Sequence, residues 1–193
     1  LGIPLDQQDV ILDAVGVGST PTPDEMEAAY GIRVDLAQLI PPDVALGALT
    51  SLNAPAARAL GVPGGGSVVR AADLAQLYQG LLHNPGEIWD PAVLADATSH
   101  VRNHLPDLMG VPANRGLGVV IAGDDGLSDR RGMGRTVSPQ AWGHNGAGGQ
   151  IAFVDPATGL SVCYLTNGLD QHLLREGRRV IAVASLAADC VTA

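Results

Sequence analysis

The run Trp142-Gly143-His144-Asn145-Gly146-Ala147-Gly148-Gly149-Gln150 sets one imidazole beside a glycine-rich turn, and the apolar stretch Ile151-Ala152-Phe153-Val154 follows at once. An imidazole can donate, accept or carry a proton near neutral pH. Glycines leave the backbone N–H groups unshielded. At the edge of a sheet, such groups suit a carboxylate, a phosphate or the oxyanion of an acyl transfer. The plainer reading of His144 is a structural hydrogen bond inside the turn. His100 and His104 are spaced i, i+4 and could hold a metal if they shared a helix, which would make a metal-assisted hydrolase. No third ligand accompanies them, so no metal is assigned. Arg130, Arg131 and Arg135 form a basic cluster that reads as a solvated loop. Gly64-Gly65-Gly66 lacks the Gly-x-x-x-x-Gly-Lys spacing of a phosphate loop.

Composition narrows the rest. The 193 residues suffice for a real core, and 46% are apolar, which excludes global disorder. Aromatics make up only 3%, so packing relies on Ala, Val and Leu. The net charge of −9 argues against nucleic acid and anionic membranes as partners. No apolar run approaches the roughly 20 residues of a membrane span. All cations are arginine, and there is no lysine anywhere in the sequence. Cys163 and Cys190 read as free thiols, with a bridge between them as the alternative in an oxidising compartment. Leu1-Gly2-Ile3-Pro4 has neither an initiator Met nor a basic leader, which reads as an interior cut in a longer chain. The compartment is not legible; the cytoplasm is the default.

The elements that must position the imidazole follow from periodicity and punctuation. Residues 1–62 read as an irregular, short-helix segment without a strand. Thr22-Pro23-Asp24-Glu25 starts a helix that should end near Gly31. Residues 63–193 read as one α+β region. Leu74, Leu77, Tyr78, Leu81 and Leu82 form a helical stripe stopped by Asn84-Pro85-Gly86. Asp90-Pro91 opens a second helix ending near Ser99. Strands are expected at 116–122, 150–154 and 160–166, the last two joined by Asp155-Pro156-Ala157-Thr158-Gly159. A closing helix over 173–191 places Val180, Val183 and Ala184 on one face. The expected fold is therefore α+β, three antiparallel strands packed with helices, whose open edges call for partner strands.

From about Pro63 onward, this order of elements resembles the C-terminal part of the β-lactamase-related serine hydrolases. That family includes class C β-lactamases, penicillin-binding D-alanyl-D-alanine carboxypeptidases, D-aminopeptidases and β-lactamase-like esterases. The resemblance is carried by Gly64-Gly65-Gly66 ahead of Ala71-Ala72-Asp73-Leu74-Ala75, by Arg115-Gly116-Leu117-Gly118-Val119, and by Trp142-Gly143-His144-Asn145-Gly146 with Gly148-Gly149. Asp155-Pro156-Ala157-Thr158-Gly159-Leu160 and Leu165-Thr166-Asn167-Gly168 complete it. It implies the β-lactamase/penicillin-binding-protein-like fold and hydrolysis through an acyl-enzyme, without a cofactor. His144 would stand at the Lys of the family's Lys-Thr-Gly, Asn145 at its middle position and Gly146 at its glycine. The backbone N–H of Ala147 would be half of the oxyanion hole. Trp142, Asn145, Gly146 and Gly148 would border the substrate, a small ester or amide.

The resemblance also implies a Ser-x-x-Lys and a Tyr-x-Asn, and neither is present. Ser67-Val68-Val69-Arg70 is no substitute, because a guanidinium does not become a general base near pH 7. The expectation is that serine, lysine and tyrosine are supplied by a missing upstream segment or a second chain. The alternative is a truncated relative that acts only as a binding module.

Overall fold

The computed structural model describes residues 2–42, 45–107 and 110–191. Along the chain the elements are β1 (Val15–Val17), α1 (Pro23–Tyr30), α2 (Leu46–Ser51), α3 (Pro55–Leu60), α4 (Ala71–His83), α5 (Pro91–Ser99), β2 (Val120–Ile121), β3 (Trp142–Gly146), β4 (Gln150–Asp155), β5 (Leu160–Tyr164), β6 (Gly168–Asp170) and α6 (Leu173–Asp189). They fall into two compact units. One comprises Leu1–Val69, Ala147–Gly149 and Thr166–Glu176; the other comprises Arg70–Gly146, Gln150–Leu165 and Gly177–Ala193.

In the first unit, α1 begins at a reciprocal cap. The Thr22 hydroxyl accepts from the Glu25 N–H at 3.3 Å, and the Glu25 carboxylate accepts from the Thr22 N–H at 2.8 Å. These bonds hold the Glu25 carboxyl below its usual range. Gly31 ends the helix with φ 72°, as its position in the sequence suggests. The structure adds a strand that the sequence hides. β1 pairs in parallel with β6, Val15 opposite Gly168 and Val17 opposite Asp170. Three residues with a glycine in the middle carry no period to read, and the partner lies far along the chain. His172 is half-buried in the same unit. Its side chain is 18% exposed, with Nε2 3.5 Å from Glu25.

The second unit is built on a four-stranded antiparallel sheet in the order β2-β3-β4-β5. On one face Val120, Ala122, Ile151 and Phe153 bury against Val180 and Ala184 of α6. On the other, Ile121, Trp142 and Val154 bury against Tyr78, Leu81 and Leu82 of α4. Of the stripes read from the sequence, Tyr78, Leu81 and Leu82 of α4 and Val180 and Ala184 of α6 cover the sheet, whereas Leu77 is exposed. Tyr78 and Trp142 meet with ring centroids 5.6 Å apart. Burial pushes the Tyr78 phenol up. The α+β class expected from the sequence holds.

The strand inventory differs in two places. The segment 142–146, read as the approach to a turn, is itself a strand, paired along its length with β4. The expected strand at 116–122 shrinks to Val120–Ile121, because Gly116 N–H bonds back to the Val119 carbonyl at 2.9 Å and Gly118 takes φ 76°. Cys163 is half-buried and Cys190 exposed, and both are free thiols, so the alternative bridge is not formed.

Two buried side chains tie the loops to this sheet. Asp155 accepts from the Ser138 N–H at 2.7 Å, the Ser138 hydroxyl at 2.5 Å and the Ala157 N–H at 3.0 Å. That fixes both the β4–β5 turn and the approach to β3. Arg131 corrects the reading of its cluster as a solvated loop. Its side chain is 2% exposed and donates to the Pro112 carbonyl at 2.9 Å, the Ala122 carbonyl at 2.6 Å and the Asp125 carboxylate at 2.7 and 2.5 Å. The guanidinium supplies donors to three separate chain segments, a task no lysine could match.

The Arg131 guanidinium holds the Asp125 carboxyl down, at about 2. A carboxyl lowered on folding stabilises above its unfolded value of about 3.9, and that contribution is lost as pH falls through the folded one. Asp125 is 38% exposed, so solvent screens the pair. Asp125→Asn should cost about 1 kcal/mol near neutral pH. Its difference from wild type in urea unfolding should shrink between about pH 4 and about pH 2. Arg131→Met, which removes the guanidinium donors from two carbonyls and the Asp125 carboxylate, should cost about 3 kcal/mol.

Candidate functional site

β3 carries the site because its residues alternate between two faces and two edges. Trp142 and His144 point to the α4 face, while Gly143 and Asn145 belong to the α6 face. The cross-strand ranks agree: His144 lies opposite Ala152, which lies opposite Cys163, and Asn145 opposite Ile151, which lies opposite Tyr164. Trp142 is 4% exposed and anchored, whereas His144 and Asn145 are exposed. One strand thus runs from core to solvent within three positions.

The edge of β3 opens over the same interval. Ala122 N–H bonds to the Ala141 carbonyl at 2.8 Å, which makes their rank a hydrogen-bonded pair. By alternation, the N–H and C=O of Gly143 face β2, those of Trp142 and His144 face β4, and those of Asn145 again face the β2 side. β2 pairs only with Trp142 and Gly143. The Asn145 N–H therefore lies along an edge that β2 does not reach, while its carbonyl is engaged by the His144 ring. A strand edge of this kind can pair with an extended amide.

Gly143 is required there. A Cβ at that position would sit 2.5 Å from the Cα of Phe153. The glycine lets β3 lie close over the largest fully buried side chain, Phe153.

His144 is held from both sides. Its Nδ1 lies 2.5 Å from the Asn145 carbonyl, and its Nε2 lies 3.0 Å from the Arg115 guanidinium. A guanidinium only donates, so Nε2 accepts and the ring proton resides on Nδ1, donated to the carbonyl. Arg115 is exposed, but its backbone is pinned. Arg102 and Asn103 N–H groups donate to its carbonyl at 2.8 and 3.2 Å, and its own N–H donates to the Asn103 carbonyl at 3.1 Å. The sequence offered Arg115 only as the first residue of a matching phrase. Nothing in a separation of 29 residues signals its pairing with the imidazole.

The remaining expected residues are placed as follows. Gly146 pairs with Gln150 at the end of the sheet. Ala147 and Gly148 belong to the other unit. There Ala147 is exposed, and Gly148 takes φ 75° with its carbonyl accepting from the Asp170 N–H at 3.3 Å. A Cβ on Gly148 would sit 2.5 Å from the Leu169 Cα. Ser67 lies in the loop ahead of α4, and Arg70 is the capping residue of that helix. Helix α5 ends at Ser99, so His100 and His104 do not share a helix, and the metal-assisted option loses its geometry. Among the described residues, no group of three or more His, Cys, Asp or Glu could hold a metal ion. Burial pushes the Cys163 thiol up, away from the thiolate a nucleophile needs.

A cavity of about 320 Å³ adjoins Trp142, walled by Leu81, Leu82, Pro91, Leu94 and Pro156. Its two polar walls are engaged: Asn84 with the backbone of Trp89, and the Thr98 hydroxyl with the Leu94 carbonyl. Trp142 is thus both core anchor and pocket wall.

Comparison with known proteins fits this architecture. The β-lactamase family model matches residues 13–186. Comparison with curated proteins finds no match. Among solved structures, the chain is similar to a penicillin-binding protein homolog from Caulobacter crescentus, at 22% identity and a TM-score of 0.43, over 72% of this chain and 41% of that one. The chain thus spans about two fifths of the length of that relative. Among the described residues, no helix is long and apolar enough to cross a membrane.

The exposed imidazole and the close-packed glycine beside it should respond differently to substitution. His144→Ala should change unfolding free energy by no more than about 0.5 kcal/mol. Gly143→Ala should cost about 3 kcal/mol, through displacement of β3 from β4. Equal losses in denaturant titrations would make His144 a structural residue.

Proposed function

The chain belongs to the β-lactamase family, and we propose that it supplies the third-motif side of an esterase-type acyl-transfer site. The observation that supports this reading is the exposed imidazole of His144 beside the open backbone edge at Asn145. His144 takes the place of the family's Lys, with Asn145 and Gly146 completing the His-x-Gly motif. The Ala147 N–H is one oxyanion donor, and Trp142 and Gly148 border the substrate. The substrate class is a small ester or amide.

The attacking serine, its lysine and the tyrosine come from polypeptide outside this sequence. That follows from chemistry: the 193 residues contain no lysine, and Ser67 is followed at the third position by an arginine. In the assembled site, the serine hydroxyl attacks the substrate carbonyl while lysine and tyrosine take its proton. The oxyanion accepts from the Ala147 N–H and from the serine's own N–H. The proton passes to the leaving alcohol or amine, and water then releases the acyl group from the serine. His144 is not the base in this scheme. Its Nε2 lone pair is already committed to Arg115, so it acts by hydrogen bonding and orientation.

The test begins with the coding sequence around this segment. An in-frame Ser-x-x-Lys followed by Tyr-x-Asn is expected, and its absence would leave a non-catalytic binding module instead. The polypeptide carrying both parts should be labelled by a fluorophosphonate on that serine alone, by intact mass and peptide mapping. The present chain by itself should show neither labelling nor turnover of p-nitrophenyl acetate. In the complete protein, His144→Ala should lower kcat/KM by about tenfold or more. Labelling of any residue within the present chain would contradict the assignment.

A further inference from the structure

We infer that β6 is the template on which the turn 147–149 takes its shape, and that Asp170 is the positioning residue that holds the Ala147 N–H in place. The inference rests on reading that N–H as an oxyanion donor, and it names what aims it.

The turn has little shape of its own. Gly146 pairs with Gln150, so Ala147, Gly148 and Gly149 close the hairpin between β3 and β4. Gly148 and Gly149 take φ 75° and 97°. Consecutive glycines pass easily between conformations. An oxyanion donor needs the opposite, because a misplacement of about 1 Å costs about a hundredfold in rate. Something outside the turn must therefore fix it.

β6 supplies that support. Ala147–Gly149 and β6 belong to the same unit. The Asp170 N–H donates to the Gly148 carbonyl at 3.3 Å, two peptide units beyond the Ala147 N–H. A Cβ on Gly148 would meet the Leu169 Cα at 2.5 Å, so backbone rests on backbone. The bond sets the direction of the turn, and the contact sets its height.

β6 is itself held from two sides. Leu169 lies opposite Gly16 of β1, and Asp170 opposite Val17. The pairing continues where the Gln171 N–H donates to the Val17 carbonyl at 3.0 Å. The Asp170 carboxylate is 3% exposed and accepts from the His172 N–H at 3.0 Å. It also takes both prongs of Arg175, Nε on one oxygen at 2.9 Å and Nη2 on the other at 2.7 Å. A bidentate guanidinium fixes the plane of a carboxylate as well as its charge. That guanidinium lies over Gly18, where a Cβ would collide with Nη2. The main chain of Asp170 thus meets the turn, while its side chain is locked to the first turn of α6. Asp170 acts on the reaction only through the Gly148 carbonyl.

The test reads the shape of the turn and the rate separately. In the isotope-labelled chain, Arg175→Met should move the NMR amide resonances of Ala147, Gly148 and Gly149, while those of β4 and β5 stay in place. In the polypeptide that also carries the serine, turnover of p-nitrophenyl acetate is measured per serine titrated by fluorophosphonate. Arg175→Met should lower kcat about tenfold and Gly148→Ala about a hundredfold, with KM within about twofold. Arg175→Lys should recover only part, because an ammonium lacks the planar fork. Inhibition by phenylboronic acid, whose tetrahedral adduct places an oxygen where the oxyanion forms, should weaken by the same factor as kcat. A merely structural role would reduce the number of titrated serines and leave kcat per serine unchanged. That result, or an Ala147 amide unmoved in Arg175→Met, overturns the inference. Should Gly148→Ala fail to fold, Arg175→Met decides, since its side chain is half-exposed. Serine labelling with unaltered kcat in both variants leaves the hydrolase reading and removes this one. A displaced Ala147 amide without any labelled serine sinks the hydrolase reading and leaves β6 as the template.

Discussion

The pairing of β3 is the constraint on which the rest of this molecule depends. It is bonded to β4 from Trp142 to Gly146, and to β2 only at Trp142 and Gly143. The first arrangement fixes the strand in the core. The second releases its outer edge from His144 onward. A longer β2 would cover the backbone of Asn145 and leave an ordinary internal strand. The shortness of β2 comes from the tight fold of Gly116–Val119, so a turn just ahead of β2 decides how much of the β3 edge is covered.

Rigidity at this edge is supplied from behind. Phe153 is fully buried and underlies Gly143, and Trp142 is locked against Tyr78. Burial of a side chain such as Phe153 stabilises by about 2–3 kcal/mol, and its position sets the height of the strand. Arg131 and Asp155 then fasten the loops on either side of the sheet with charged hydrogen bonds out of water. Removal of one partner from such a pair costs more than the pair contributes, because the other is left buried and unmet. The buried Arg131 and Asp155 thus carry structure, while His144 and Arg115 stay exposed.

Charge is arranged in the same spirit. Most of the arginines are neutralised by neighbouring acids, as suits a protein of net charge −9. Arg115 instead meets a neutral imidazole, whose tautomer is dictated by the guanidinium on one side and a carbonyl on the other. An imidazole committed on both nitrogens orients and does not shuttle protons.

Much of this was determined by the sequence alone. The stripe Leu74–Leu82 and the stripe on α6 prescribe amphipathic helices, because apolar residues at helical spacing have one way to leave water. Thr22, Asp90 and Gly31 set helix ends through local hydrogen bonds and backbone freedom. The absence of lysine excludes a Ser-x-x-Lys within the 193 residues. What tertiary structure decided are the long-range partnerships. β1 finds β6 across the chain, Arg131 turns inward to meet three segments, His172 settles beside Glu25, and Arg115 reaches His144. None of these leaves a periodic or local trace, because a guanidinium or a three-residue strand reads the same whether solvent or a distant segment satisfies it. Only the folded chain chooses between the two.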